Sequence, residues 1–220
     1  MEVRAELSDS VRRRALAACR MARVVEWLLL LAARLLLKPC TTLPDCAGCS
    51  PQRIYISNHS SHLDAVLLLA ALPAPLRRST RPVAAEEYWT AGPVRRYLIR
   101  SVFRGVLLDR TGAQLNPLEP AASALRRGDS LLFFPEGTRG PGESLQPLKS
   151  GIAHLARWFP DVDIVPVWIA NPRGTPAPFS RSITFGKPFR WKEGQRQDDF
   201  LVEVRQRLEG LRPPLHDEHP

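Results

Sequence analysis

The segment RIYISNHSSHLDAVLLLAAL, residues 53–72, places a cluster of polar side chains between two apolar runs. The run RIYIS is short and rich in β-branched and aromatic residues, which predicts a buried β-strand. The run AVLLLAAL predicts a buried helix. Two histidines, two serines and an aspartate at this junction are costly to desolvate unless they have partners. They therefore either cap the helix or carry out chemistry.

The alternation of strands and helices continues along the rest of the chain. Strands are predicted at residues 81–85, 105–109, 130–134, 163–169 and 182–189, and helices at residues 117–128, 150–159 and 198–211. Residues 86–102 are expected to be helical or irregular, because Gly92 and Pro93 interrupt the pattern. The alternation predicts a single α/β domain, a mixed and largely parallel sheet flanked by helices, at residues 53–212. Residues 213–220 are expected to form a C-terminal tail.

Residues 1–52 are expected to form an N-terminal helical segment and a connector. Residues 1–23 predict a polar or amphipathic helix, and residues 24–38, VVEWLLLLAARLLLK, are strongly apolar. This stretch is shorter than the roughly 20 residues that span a bilayer, and Glu26 and Arg34 interrupt it. Trp27 and the nearby basic residues favour a helix in the membrane interface. Burial against the domain and full spanning are the alternatives.

The overall charge indicates an anionic partner. The formal net charge is +9 and the isoelectric point is near 10.1, a balance that suits nucleic acid, acidic lipid headgroups or phosphorylated substrates. A solvated, arginine-rich surface is the simpler explanation for most of these residues. Aromatic residues make up only 7% and no nucleic-acid-binding signature is present, so a nucleic-acid partner is the less favoured hypothesis.

The cysteines do not form a complete metal-binding pattern. The chain has four, at positions 19, 40, 46 and 49, and Cys46 and Cys49 form one CxxC pair. No second pair or neighbouring histidine cluster completes a zinc site. We interpret the cysteines as reduced thiols of an intracellular protein, with a metal or redox role for the pair as the alternative.

His59 and Asp64 are candidates for a base and the carboxylate that orients it. A helix turns by about 100° per residue, so two side chains five positions apart point away from each other on a regular helix. They meet only if the chain turns between them. The carboxylate then holds one imidazole nitrogen and leaves the other to accept a proton. His62 is a rival base, and a hydrolase metal site formed by both histidines and Asp64 is a further alternative.

A second polar turn follows the predicted strand at residues 130–134. In LLFFPEGTRG, residues 131–140, Gly137 permits a tight turn that displays Glu136 and Arg139. A carboxylate there can accept a hydrogen bond from a substrate hydroxyl, and a guanidinium can bind a phosphate through two nitrogens. A Glu136–Arg139 ion pair that only shapes the loop is the alternative.

The order of these motifs resembles the glycerolipid acyltransferase family. NHSSHLD fits the NHxSxxD pattern of that family, and FRGVLLDR, FPEGTRG and IVPV follow in the family's order, so the resemblance covers residues 53–189. The family pattern often has serine after the arginine of the third motif, where this chain has Gly140.

The resemblance implies a role for each matching residue. His59 is implied as the general base and Asp64 as its orienting partner. The implied substrate-binding residues are Arg110, Glu136, Gly137, Thr138, Arg139 and Lys149. The implied reaction moves a fatty acyl group from acyl-CoA or acyl-carrier protein to the hydroxyl of a lysophospholipid, with 1-acylglycerol-3-phosphate as the first candidate. No metal or cofactor is required.

The resemblance also implies a cellular location, and it leaves the identity of the acceptor lipid open. We expect a membrane-associated protein on an anionic surface, at the cytoplasmic face of a bacterial inner membrane. Lyso-ornithine lipid and lysophosphatidylethanolamine are alternative acceptors, because basic residues favour an anionic headgroup without selecting among them.

Overall fold

A computed structural model describes residues 2–37, 40–42, 51–112, 115–140, 144–170 and 181–213. Its helices are α1 (Glu2–Leu37), α2 (Asp64–Ala71), α3 (Ala74–Ser79), α4 (Glu86–Thr90), α5 (Pro93–Tyr97), α6 (Glu119–Arg126), α7 (Gly151–Trp158) and α8 (Gln197–Glu209), with a π-helical turn at Leu98–Val102. Its strands are β1 (Cys40–Thr42), β2 (Arg53–Ser57), β3 (Thr80–Ala85), β4 (Val106–Leu108), β5 (Ser130–Phe133), β6 (Asp163–Ala170) and β7 (Ser182–Phe185).

The strands form one mixed sheet in the order β1-β7-β6-β2-β5-β3-β4. Strands β2 to β6 run parallel to one another, β7 pairs antiparallel with β6, and β1 pairs parallel with β7. The prediction of an α/β domain with a mixed, largely parallel sheet is therefore confirmed. Because the five parallel strands point the same way, the loops that follow them gather at one edge of the sheet.

Alternate residues of the central strands face two separate helical layers. Ile54 and Ile56 of β2 face α6, α7 and α8, and Tyr55 faces α1, α2 and the π-helical turn. Strand β5 repeats this alternation, with Leu132 on the side of Tyr55. Burial on both faces explains why these strands are almost continuously apolar in sequence. The two layers fix β2 and α2, and so fix the polar loop between them.

The N-terminal helix is continuous and packs on the domain. The described parts of the two segments predicted at residues 1–23 and 24–38 form the single helix α1, Glu2–Leu37. Ala22, Leu30 and Ala33 are buried against the layer that contains α2, and the Arg34 Nε donates to the carbonyl of Ala70 at 2.7 Å. None of the helices in the described part of the chain combines the length and apolarity that a membrane crossing requires.

Residues 86–102, expected to be helical or irregular, form α4, α5 and the π-helical turn. Two other segments differ from the sequence-based expectation. Strand β7 ends at Phe185, four residues before the predicted end at 189, because Pro166 opposite Gly186 has no amide to donate, although Phe189 still forms an antiparallel bridge with Ile164 of β6. Strand β1 lies within the predicted connector and joins the sheet. The CxxC pair lies outside the described residues.

Candidate active site

The predicted chemical motifs meet at the carboxyl edge of the sheet. NHSSHLD follows β2, and the turn of LLFFPEGTRG follows the adjacent strand β5. Arg110 follows β4 at the same edge. The Gly140 amide donates to the His59 carbonyl at 2.8 Å, so the two loops are joined directly. Parallel strand pairing therefore brings together residues that lie 77 positions apart in the chain.

His59 and Asp64 form a hydrogen-bonded pair. The His59 Nδ1 lies 3.0 Å from Asp64 Oδ2, and that oxygen also accepts from the amides of Ser60 and Ser61, each at 2.7 Å. Asp64 is fully buried at the start of α2, whereas the His59 side chain is 19% exposed. A carboxylate at Nδ1 favours the tautomer with hydrogen on that nitrogen. Nε2 is then the nitrogen that can accept a proton.

The His59 ring is fixed by stacking as well as by hydrogen bonding. Its centroid lies 4.1 Å from that of Phe134, with the two planes inclined by 22°. The ring lines the large cavity of the site, and Phe134 lines it as well. Stacking on one face and a carboxylate at one edge together define where Nε2 points.

Glu136 has surroundings that differ from those expected of a substrate ligand. Its Oε1 accepts from the His59 amide at 2.7 Å, and its Oε2 accepts from the Gln146 amide at 2.8 Å. The residue is only 2% exposed. A Glu136–Arg139 ion pair does not occur among the described contacts, where Arg139 instead meets His62. Because a backbone amide donates to each carboxylate oxygen, Glu136 joins the two loops, and its binding of a substrate hydroxyl stays a prediction.

The turn after Glu136 places polar groups at the cavity. Gly137 adopts a left-handed backbone conformation with a φ of 68°, and the Cγ of Lys149 lies 3.3 Å from the position of a Cβ there. Any larger side chain would therefore be strained and crowded. Gly137, Thr138, Arg139 and Lys149 all line the cavity, and the Lys149 amide donates to the carbonyl of Pro135 at 2.8 Å.

Arg110 reaches the same turn from β4. It donates to the carbonyl of Gly137, and its Nη2 lies 3.0 Å from Glu87 Oε1. The Arg110 side chain is about half exposed and lines the cavity beside Arg139. Two guanidinium groups therefore stand at one side of the cavity, one of them partly neutralised by a carboxylate.

His62 lies in the same cavity but is not held by Asp64. It stacks on Tyr88, with centroids 4.9 Å apart, and its Nε2 contacts the Arg139 guanidinium. Desolvation, together with the positive charge of Arg139, lowers the pKa of His62 below 6.5. A neutral His62 can accept a hydrogen bond from Arg139. Within the described residues, no group of three His, Cys, Asp or Glu side chains is arranged to hold a metal ion.

The cavity itself is predominantly apolar. Its volume is about 560 Å³, and the polar residues just described, which contact one another, form its polar end. The remaining wall is mainly aliphatic and aromatic, with Asp109 as a further polar residue, and its apolar side chains include Val66, Leu69, Val83, Ile99 and Phe103. Such a space suits a long hydrocarbon group whose reactive end lies near His59.

The comparison with protein families agrees with this geometry. A family model described as "Acyltransferase" matches residues 42–170, more than half of the 220 residues. The chain belongs to the acyltransferase family. The matched region contains β2 to β6 and every residue of the site described so far.

Several curated members of the family are similar to this acyltransferase-family chain. "1-acyl-sn-glycerol-3-phosphate acyltransferase alpha" of Ovis aries is 30% identical over 138 residues, which are 61% of this chain and 45% of that protein. "1-acyl-sn-glycerol-3-phosphate acyltransferase" of Salmonella typhimurium is 31% identical over 124 residues, 54% of this chain and 46% of that protein. The chain therefore spans about half the length of the curated relatives it matches.

A solved structure shares the fold. The 1-acyl-sn-glycerophosphate (LPA) acyltransferase PlsC from Thermotoga maritima superposes with a TM-score of 0.67 at 22% identity, covering 90% of this chain and 81% of that one. At this identity the likeness concerns the fold of the acyltransferase domain.

Two residues that hold this acyltransferase site together were not identified from the sequence. The Asn58 amide group bonds to both backbone groups of Ile169 on β6, at 2.8 and 2.9 Å. Arg181, which directly precedes β7, donates from Nη1 to Asp64 Oδ1 at 3.0 Å. Asn58 belongs to the NHSSHLD motif, so the sequence pointed to its position without giving its role. No local sequence pattern pointed to Arg181, because it lies 117 residues from its partner.

Proposed function

We propose that the chain is an O-acyltransferase that transfers a fatty acyl group from a thioester to the hydroxyl of a lysophospholipid. The donor is acyl-CoA or acyl-carrier protein, and the first acceptor is 1-acylglycerol-3-phosphate, which gives phosphatidic acid. One observation carries this proposal: the His59–Asp64 pair opens onto an apolar cavity whose polar end also holds Arg110 and Arg139.

In this proposal His59 acts as the general base. Its Nε2 takes the proton of the acceptor hydroxyl as the oxygen attacks the thioester carbonyl, and Asp64 stabilises the imidazolium that forms. The tetrahedral intermediate then expels the thiolate, which takes the proton back from Nε2. The products are an ester and a thiol, and His59 returns to its starting state. A positioned general base contributes roughly 10² to 10⁴ in rate.

The cationic side chains favour a phosphate-bearing acceptor. A guanidinium binds a phosphate through two parallel hydrogen bonds, which fixes orientation as well as charge. Arg139 is held by His62 and Arg110 by Glu87 and Gly137, so both are positioned before the substrate arrives. The phosphate of lysophosphatidic acid is the headgroup that can bind both arginines.

The experiment pairs purified protein with a panel of substrates. Donors are palmitoyl-CoA and palmitoyl-carrier protein, and acceptors are lysophosphatidic acid, lysophosphatidylethanolamine and lyso-ornithine lipid in mixed micelles. Free thiol and product lipids are followed by thiol titration and mass spectrometry. We expect phosphatidic acid to form fastest. Absence of thiol release with every acceptor would overturn the proposal, whereas transfer to another lysolipid alone would correct only the acceptor.

We also propose that α1 lies in the interface of an anionic membrane, at the cytoplasmic face of a bacterial inner membrane. Met21, Val24 and Leu28 lie along one exposed stripe of the helix, opposite the buried Ala22 and Leu30. Exposed apolar side chains next to arginines suit binding to acidic lipids. Vesicles containing phosphatidylglycerol should sediment the protein, and changing the three stripe residues to serine should abolish this. Binding to nucleic acid but not to vesicles would contradict the proposal.

A further inference from the structure

A buried cation lies beside the buried carboxylate of the dyad. Arg181 is 6% exposed and Asp64 is fully buried, with Nη1 and Oδ1 3.0 Å apart. Arg181 reaches this position because β7 runs antiparallel to β6, with Ser182 paired to Ala170 at the end of β6. The sheet therefore places Arg181 at the same edge as His59, which follows β2.

The two oxygens of Asp64 serve different partners. Oδ2 accepts from His59 Nδ1 and from two backbone amides, and Oδ1 accepts from Arg181. An ion pair through one oxygen fixes the plane of the carboxylate, so the other oxygen stays directed at the imidazole. A planar guanidinium suits this task better than an ammonium group does.

The burial of Arg181 costs free energy. Its Nε is buried and has no hydrogen-bond partner in the described part of the chain. A buried donor without a partner loses its hydration without compensation. Among the described residues that line the cavity Arg181 does not occur, so it acts beneath the dyad and not on the substrate. Its contact with Asp64, which in turn contacts His59, therefore explains its buried position.

Within the residues that the structure describes, four charged or titratable groups surround the dyad: Arg181 on Asp64, Glu136 at the His59 backbone amide, and His62 with Arg139 in the cavity. Of these, only Arg181 contacts the orienting carboxylate as a cation of fixed charge.

We propose that Arg181 is a positioning residue of the site, which orients Asp64 so that the carboxylate keeps His59 in place as the base. This inference rests on the proposed function, in which His59 is the base. It adds a third member to the dyad.

The test replaces Arg181 by methionine and follows the His59 ring by NMR. Selective ¹⁵N labelling of histidine reports the hydrogen bond from His59 Nδ1 to Asp64 without reference to activity, so the inference is testable even if the proposed function fails. In Arg181→Met we expect the downfield signal of the Nδ1 proton to weaken or disappear under conditions in which the wild type shows it. The kcat should fall roughly 10-fold to 100-fold, with KM for both substrates unchanged.

Matched variants separate this effect from a loss of folding. Arg181→Lys keeps the charge, and it should retain the His59 proton signal and most of the wild-type kcat. Arg81→Met removes a partly buried guanidinium from Asp129 at the start of β3, at the opposite edge of the sheet, and should change neither the signal nor kcat. Arg181→Gln provides a second neutral variant if the methionine variant does not fold.

Two results would overturn the inference. One is a folded neutral variant whose His59 proton signal and kcat coincide with those of the wild type. The other is a rise in KM for the acceptor with kcat unchanged, which would make Arg181 a substrate contact. Failure of the proposed function looks different, because the wild type itself would then release no thiol with any acceptor.

Discussion

Replacing Glu136 by glutamine tests whether this residue joins the two loops or binds the acceptor. The carboxylate accepts from the amides of His59 and Gln146, at 2.7 and 2.8 Å. An amide keeps one acceptor oxygen and places an NH₂ group against the second backbone donor. A hydrogen bond to a charged group contributes about 1.5–3 kcal/mol, and a buried donor left unpaired costs about 1–3 kcal/mol. The expected destabilisation is therefore about 3–5 kcal/mol.

Thermal unfolding followed by circular dichroism measures this loss. In a chain of this size each kcal/mol lowers the melting temperature by about 2–4 °C, so Glu136→Gln should melt roughly 6–20 °C below the wild type. The matched control is Glu209→Gln, which removes a surface pair with Arg205 on α8. Pairs of that kind contribute about 0.3–0.5 kcal/mol, so the control should melt within roughly 2 °C of the wild type.

The kinetic consequence separates the two roles of Glu136. Because its Oε1 holds the His59 backbone, the variant should show a lower kcat at temperatures where it is still folded, with little change in KM for the acceptor. A melting temperature equal to that of the wild type, combined with a raised KM for the lysolipid, would refute this reasoning. That result would restore the substrate contact that the sequence suggested.

Two further predictions concern the cavity and His62. Each methylene buried in the cavity contributes about 0.8 kcal/mol, so the dissociation constants of a series of acyl-CoA analogues should fall about fourfold per carbon until the cavity is full. Gly105→Ala places a Cβ 2.4 Å from the Cδ1 of Ile99, which lines the cavity, so Ile99 must shift. The dissociation constant should then stop falling at a shorter acyl chain. An unchanged limiting chain length would contradict this use of the cavity. The pKa of His62 is lowered in the folded chain, so stability present above pH 6.5 is lost as the pH falls from 6.5 through that lowered pKa, because the unfolded chain binds the proton first. His62→Gln should therefore lose less melting temperature than the wild type between about pH 8 and about pH 5.5, and equal losses would contradict the assignment.

The meeting of the two loops follows from the strand pattern of the sequence. The middle residues of RIYIS and most of SLLFF are apolar, which places both strands in the interior of a parallel sheet, and the polar residues after each strand then share an edge. The turn that brings His59 to Asp64 follows from the same loop, since five residues on a regular helix would separate them.

The direction of individual side chains could not be predicted in this way. Glu136 in a glycine turn can face either solvent or backbone amides, and only the position of the Gln146 amide decides between them. Arg181 meets Asp64 through the antiparallel pairing of β7, a contact between residues 117 positions apart that no local pattern encodes. The partnership of Arg139 with His62 likewise depends on how two loops pack.

The central claim is that the His59 Nε2 removes the acceptor proton. Its most direct test is the rate of phosphatidic acid formation by His59→Ala, measured with radiolabelled palmitoyl-CoA and lysophosphatidic acid. The control is His154→Ala on α7, which removes an imidazole that contacts Trp158 away from the cavity. With both variants folded, we predict a loss of about 10³ in kcat for His59→Ala and an unchanged rate for the control. A His59→Ala enzyme that keeps more than about a tenth of the wild-type rate would contradict the account, because a base of this kind contributes at least roughly 10².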